Sequence, residues 1–136
     1  MRTVVALDTN VLLDYVLKRP NASQYQALFE AVAEGTCELY LPTPVVLEVE
    51  WTLRSYYEKS KSYIIVVFQS LLDLPWVNLE DHQQLARAVN WYDRERGISF
   101  DDCLILSSIL DPAINDFVTG DKKLAKVYRS LKKGRR

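Results

Sequence analysis

Short apolar runs alternate along the chain with longer stretches of helical periodicity. Thr3 to Leu7 is β-branched and apolar, which predicts a strand buried on both faces. Val11 to Leu17 predicts a short helix, ended by Arg19-Pro20. Ser23 is placed to cap a second helix running through Ala33, with Gly35 as its stop. Cys37 to Leu41 predicts a second strand. Thr43-Pro44 then opens a helix towards Glu58, with proline at the first helical position. Ser62 to Leu74 has strand-like propensity around Ile64 to Phe68, but its length up to Pro75 predicts a helix. Trp76 to Leu79 is a short strand, Asp81 caps a helix to Arg96 and Gly97, and Ser99 caps another through Leu110. Phe117 to Thr119 predicts a last strand, and Lys122 onward a short helix. Strands alternating with helices, without hairpin signals, predict an α/β fold: a short parallel sheet covered by helices. At 136 residues the expectation is a single domain over 1–136.

Charge changes this picture at one end only. Residues 1–121 hold 9 Lys/Arg and all 18 Asp/Glu, a balance of −9, whereas residues 122–136 hold 8 Lys/Arg and no acid. A basic tail from about 122 on an acidic body fits attraction to a polyanion; a solvated, frayed terminus or one folded back on the body fits equally. Met1-Arg2-Thr3-Val4 leads straight into the strand-like run, without a signal peptide's apolar segment, and the longest apolar run, Tyr63 to Phe68, is far short of a span. The expectation is a cytoplasmic protein with no membrane association. Cys37 and Cys103 have no Cys or His neighbour at metal spacing and read as small buried hydrophobes. His82 stands alone near a helix start, with no nucleophile motif beside it.

Four acids lie in apolar or turn contexts. Asp8 ends the first strand, and Asp121 follows Val118-Thr119-Gly120; each also suits a helix cap. Glu48 shares a helical face with Val45 and Thr52, with Val49 beside it, and is expected to point inward, while Glu50 turns to solvent. Asp102 shares a stripe with Ile98, Ile105, Leu106 and Ile109; its neighbour Asp101 is rotated away and suits the helix N-terminus. Asp116 reads as structural. Carboxylates avoid burial unless paired or metal-bound, and several at one place repel. A hard divalent cation with oxygen ligands removes both problems. In open α/β sheets ligands bind beyond the carboxyl ends of strands, where Asp8 and Asp121 fall.

The order of these motifs resembles the PIN-domain ribonucleases, and among them the VapC-type toxins of toxin–antitoxin pairs. The matching stretches are Val5-Ala-Leu-Asp8-Thr9-Asn10, Val46-Leu-Glu48-Val, Asp102-Cys-Leu-Ile-Leu-Ser-Ser and Thr119-Gly-Asp121-Lys-Lys-Leu. The doubled acid Asp101-Asp102 departs from the pattern, as does Tyr128 to Arg136, where the family often has a further strand. The resemblance implies a three-layer α/β/α fold and hydrolysis of RNA by Asp8, Glu48, Asp102 and Asp121 around Mg²⁺ or Mn²⁺. Asn10 and Thr119 would orient the carboxylates. It also implies an antitoxin partner and a homodimer, for which Trp51, Tyr56, Tyr57, Tyr63 and Phe68 offer a surface unless they pack the core. Two other readings fit less well. A haloacid-dehalogenase-like phosphohydrolase wants an acid where Asn10 stands and leaves Glu48 idle. A non-catalytic PIN-like binding module would not need all four acids.

Overall fold

The computed structural model describes residues 2–134, and these cluster into two compact units, the first ending at His82 and the second beginning at Gln83. The first unit is the α/β part. It contains β1 (Thr3–Ala6), α1 (Thr9–Val16), a 3₁₀ segment (Pro20–Tyr25), α2 (Gln26–Ala33), β2 (Cys37–Leu41), α3 (Thr43–Ser55), α4 (Lys61–Asp73) and β3 (Val77–Leu79). The strands form a parallel sheet in the order β1-β2-β3, with Thr3 opposite Cys37 and Leu39 opposite Val77. Helices fill both crossovers, as parallel pairing requires.

β2 is the centre of this unit because it alone among these strands has a partner on each side. Its residues Cys37, Leu39 and Leu41 are buried. The core continues through Leu13 of α1, Val49 and Leu53 of α3, and Ile64 and Phe68 of α4. α1 packs on α3, α3 on α4 and α2 on β2. Expectation fails at β1, which lies at a sheet edge and is largely exposed, Val4 at 55%. A strand paired on one side only does not need to be apolar on both faces for burial. Glu38 of β2 spans the sheet: Arg2 Nη1 donates to its Oε1 at 2.7 Å and Asn78 Nδ2 to its Oε2 at 2.9 Å. The Asn78 hydrogen bond, followed by that from Arg2, lowers the Glu38 pKa below its ordinary value.

Caps explain most helix limits. Ser60 Oγ accepts from Tyr63 N and opens α4, settling the strand-or-helix ambiguity of that segment in favour of helix. Gly35, at φ +81°, ends α2 in the left-handed conformation glycine tolerates. Ser23 departs from expectation: it lies inside the 3₁₀ segment, and its hydroxyl donates to Pro20 O instead of capping α2.

The second unit is helical, with α5 (His82–Arg94, continuing from the end of the first unit), α6 (Phe100–Ile109) and α7 (Lys122–Gly134). Tyr92 meets Phe100 edge-on at 5.4 Å, and Arg87 donates to Ser107 O at 3.1 Å, joining α5 to α6. Phe117 meets Tyr128 at 5.4 Å, seating the incoming loop on α7. The strand expected at Phe117 to Thr119 is absent. Side chains engage backbone donors at its start and just beyond it: Asp116 Oδ1 accepts from Phe117 N and Thr119 Oγ1 from Asp121 N, while Val118 stands 92% exposed. The described part of the basic tail is helical to Gly134 and buries Leu124 and Tyr128; the last two arginines lie outside the described residues. Cys37 and Cys103 are both buried, as expected. Among the described residues no helix is long and apolar enough to cross a membrane.

Candidate active site

Asp8 follows β1 and Leu7, at the carboxyl end of the strand, and is the N-cap of α1. Its Oδ1 accepts from Thr9 N at 2.7 Å. Thr9 is itself buried, and its hydroxyl donates to Glu48 Oε2 at 2.6 Å. One threonine therefore holds two candidate acids from segments 40 residues apart, through its amide and its hydroxyl. No other described group takes the remaining oxygen of either carboxylate. Sequence reasoning passed over Thr9; its signal was a hydroxyl directly after a capping acid, at the first helical position. Asn10 does not hold Asp8. It is exposed, and its carbonyl accepts from Arg19 Nη2 at 3.4 Å. Arg19 also donates to the Tyr57 hydroxyl and lies 2.6 Å from Asp14 Oδ1. It thus pins the start of α1 to the end of α3.

The orientation expected of α3 is reversed. Glu48 is solvent-exposed, and Glu50 is the buried acid, 0% exposed, with Arg54 Nε at 2.8 Å. α3 turns Val46, Val49, Glu50 and Leu53 inward. A glutamate four residues before an arginine can be buried because its charge is paired within its own helix. Asp14 is likewise buried and paired, with Arg19 just beyond the end of α1. The buried acids of this unit are thus the arginine-paired ones, while Asp8 and Glu48 keep access to water.

In the second unit Ser99 Oγ accepts from Asp102 N at 3.1 Å and starts α6. Asp101 and Asp102 both sit in the first turn; Asp101 is exposed and Asp102 half-buried. The apolar stripe assigned to Asp102 is incomplete, since Ile105 is 44% exposed. The Asp102 carboxylate has no partner among the described residues. Asp121 caps α7, its Oδ1 accepting from Leu124 N at 3.0 Å, and Thr119 Oγ1 fixes its backbone at 3.1 Å. Asp116 is structural, as expected. His82 Nε2 lies 3.0 Å from Leu72 O, a structural contact. A cleft of about 380 Å³ between the end of α6 and α7 is lined by Ile109, Leu110, Pro112 and Ile114 and holds none of the candidate acids. Within either unit, among the described residues, no three His, Cys, Asp or Glu side chains group closely enough to hold a metal ion.

A family model for the PIN domain matches residues 5–130, a stretch that includes all four acids. The chain belongs to the PIN domain family. The match bears out the resemblance drawn from the motifs and the α/β class with its parallel sheet. The PIN domain here is also similar to a VapC ribonuclease from Aquifex aeolicus (strain VF5), 25% identical over 122 residues, covering 89% of this chain and 90% of that protein. No solved structure matches the chain.

Proposed function

We propose that this PIN domain is an endoribonuclease of the VapC type, hydrolysing RNA phosphodiesters with Asp8, Glu48, Asp102 and Asp121 serving one reaction, and that the whole chain acts as a single nuclease domain. The observation that carries the reading is the presence of all four acids, in order, inside the family match. The Aquifex relative, matched over 89% of this chain and 90% of its own length, is itself a VapC ribonuclease.

The donor set fits a hard cation. Asp8, Glu48 and Asp121 each commit one oxygen to a fixed hydrogen bond and keep the other, and Asp102 keeps both. Mg²⁺ or Mn²⁺ takes few carboxylates, its remaining positions going to water and phosphate oxygens. Bound there, such an ion supplies Lewis acidity towards a water and the phosphate. The chain's residues do the positioning. Thr9 sets Asp8 and Glu48 together, Thr119 fixes the turn carrying Asp121, and Asn10 lies exposed one residue beyond Thr9, where it can meet substrate. Asp102 is favoured over Asp101 because it is half-buried where Asp101 is exposed. With no paired general base of the histidine type, the reading is attack by water, leaving 5′-phosphate and 3′-hydroxyl ends.

The toxin reading brings an antitoxin protein and self-association as partners. Trp51 and Tyr56, 57% and 74% exposed on α3 and at its end, are the aromatic residues open to them, whereas Phe68 is core. Incubating the purified chain with cellular RNA and Mn²⁺, then mapping new 5′ ends, tests the activity. Phosphorylated 5′ ends that vanish in EDTA and in Asp8→Asn are expected. Persistence of cleavage in both, or no metal-specific binding by calorimetry, would overturn it in favour of a binding module.

A further inference from the structure

Six of the basic residues that set the tail apart lie in α7, and the helix sorts them. At about 100° per residue, Lys122, Lys126, Arg129 and Lys133 fall within about 60° of one another on the helix circumference. Leu124 and Tyr128 are buried on the opposite side. All four cations are exposed, and no hydrogen bond, ion pair or ring contact engages them among the described residues. The other two differ. Lys132 bonds Asn115 O and the Tyr128 hydroxyl, and the Lys123 side chain occupies the space beside Gly97, where φ is +79°. No acid occurs in α7 to neutralise the stripe. The stripe begins one residue after Asp121 and runs ~16 Å along the helix at 1.5 Å per residue. That is the length of about five nucleotides at the roughly 3.4 Å rise of a stacked strand.

We infer that the Lys122–Lys126–Arg129–Lys133 face of α7 is an RNA-backbone rail, binding phosphates of the strand that flanks the scissile bond. The choice of RNA rests on the nuclease reading above; the linear, unpaired, acid-free row of cations supplies the rest. Contacts of this kind carry affinity and salt dependence without base specificity.

The test is fluorescence anisotropy of a labelled single-stranded RNA with the full chain carrying Asp8→Asn, in EDTA, across a NaCl titration. Working without metal or cleavage separates this inference from the activity: a chain that never cuts RNA can still pass, and a chain that cuts can still fail. Replacing all four residues by glutamine should flatten the plot of log Kd against log salt by about 2.8, at roughly 0.7 per phosphate for a single strand. The milder pair Lys126→Gln/Arg129→Gln, less able to disturb folding, should flatten it by about 1.4. Lys18→Gln/Arg96→Gln, which removes the same charge elsewhere, should leave the slope unchanged. The rail is overturned if the pair and the fourfold variant, folded by circular dichroism, keep the parental slope. It is equally overturned if the control pair loses as much, or if the chain binds phosphatidylserine vesicles but not RNA.

Discussion

The two units hold their candidate acids by different means. In the first unit Asp8 stands at a strand end and Glu48 on a helix, and both are tied to one buried threonine by side-chain hydrogen bonds. In the second, Asp102 and Asp121 sit at helix starts with only local support from Ser99 and Thr119 and, for Asp121, its own helix amides. The first pair is linked through one residue, and the second is made of a helix cap, Asp121, and a first-turn acid, Asp102, each supported separately. Loss of the Thr9 hydroxyl should therefore release Glu48 while the Thr9 amide still holds Asp8, whereas loss of the Thr119 hydroxyl releases no acid side chain.

The largest expected effect concerns the acids themselves. Asp8→Asn, Glu48→Gln, Asp102→Asn and Asp121→Asn should each lower RNA cleavage by on the order of 10²–10³-fold or more, the scale of lost transition-state electrostatics. Asp101→Asn should leave most of it. Equal loss from Asp101→Asn, in single-turnover cleavage, would move the working acid of α6 to that position. Next comes the asymmetry in support. Thr9→Val should cost roughly 10–100-fold, with Thr9→Ser restoring most of it, as expected for groups that orient metal-binding carboxylates. Thr119→Val should cost less because its hydroxyl holds backbone, not a second acid. The comparison breaks if the two valine variants lose activity alike.

A stability effect separates the buried acids from the candidate site acids. Arg54→Ala should destabilise folding by about 2–3 kcal/mol, short of the roughly 3–5 kcal/mol for a fully buried pair because Arg54 is 46% exposed. Removing the Glu48 carboxylate should cost little by comparison. Urea unfolding of both variants checks the order. The smallest effect is at Glu38, whose folded pKa is lowered by Asn78 and then Arg2. Its ionised form favours folding above the unfolded carboxyl pKa, and that contribution disappears as pH falls through the lower folded value. Glu38→Gln should thus narrow its stability deficit in acid, below the ordinary carboxylate range, in urea titrations at stepped pH.

Much of the framework was legible because local chemistry and tertiary demand agree. Cys37 to Leu41 forms the strand expected of it, and Ser99 and Asp121 cap the helices they precede. The candidate acids stand out in the sequence through their motifs, and burial does not pick them out. On α3, Val45-Glu48-Thr52 and Val46-Val49-Glu50-Leu53 are both apolar enough to face a core, and the spacing of valines does not choose between them. The pairing of Glu50 with Arg54 does choose, because it lets a carboxylate enter the core without a metal. Thr9 was illegible for a related reason: its hydroxyl partner lies 39 residues away, and no local pattern points to it. At Phe117 to Thr119, strand-like side chains did not form a strand: Asp116 takes the Phe117 amide and Val118 stands exposed.

The most direct measurement is a double-mutant cycle on RNA cleavage, pairing Asp8→Asn from the first unit with Asp121→Asn from the second. Groups that serve one reaction are strongly non-additive. The double variant should then be about as inactive as either single one, and all three should lose the same Mn²⁺ dependence. If the two losses multiply, or if either single variant keeps a full Mn²⁺ response, the acids of the two units do not serve one reaction and the central claim fails.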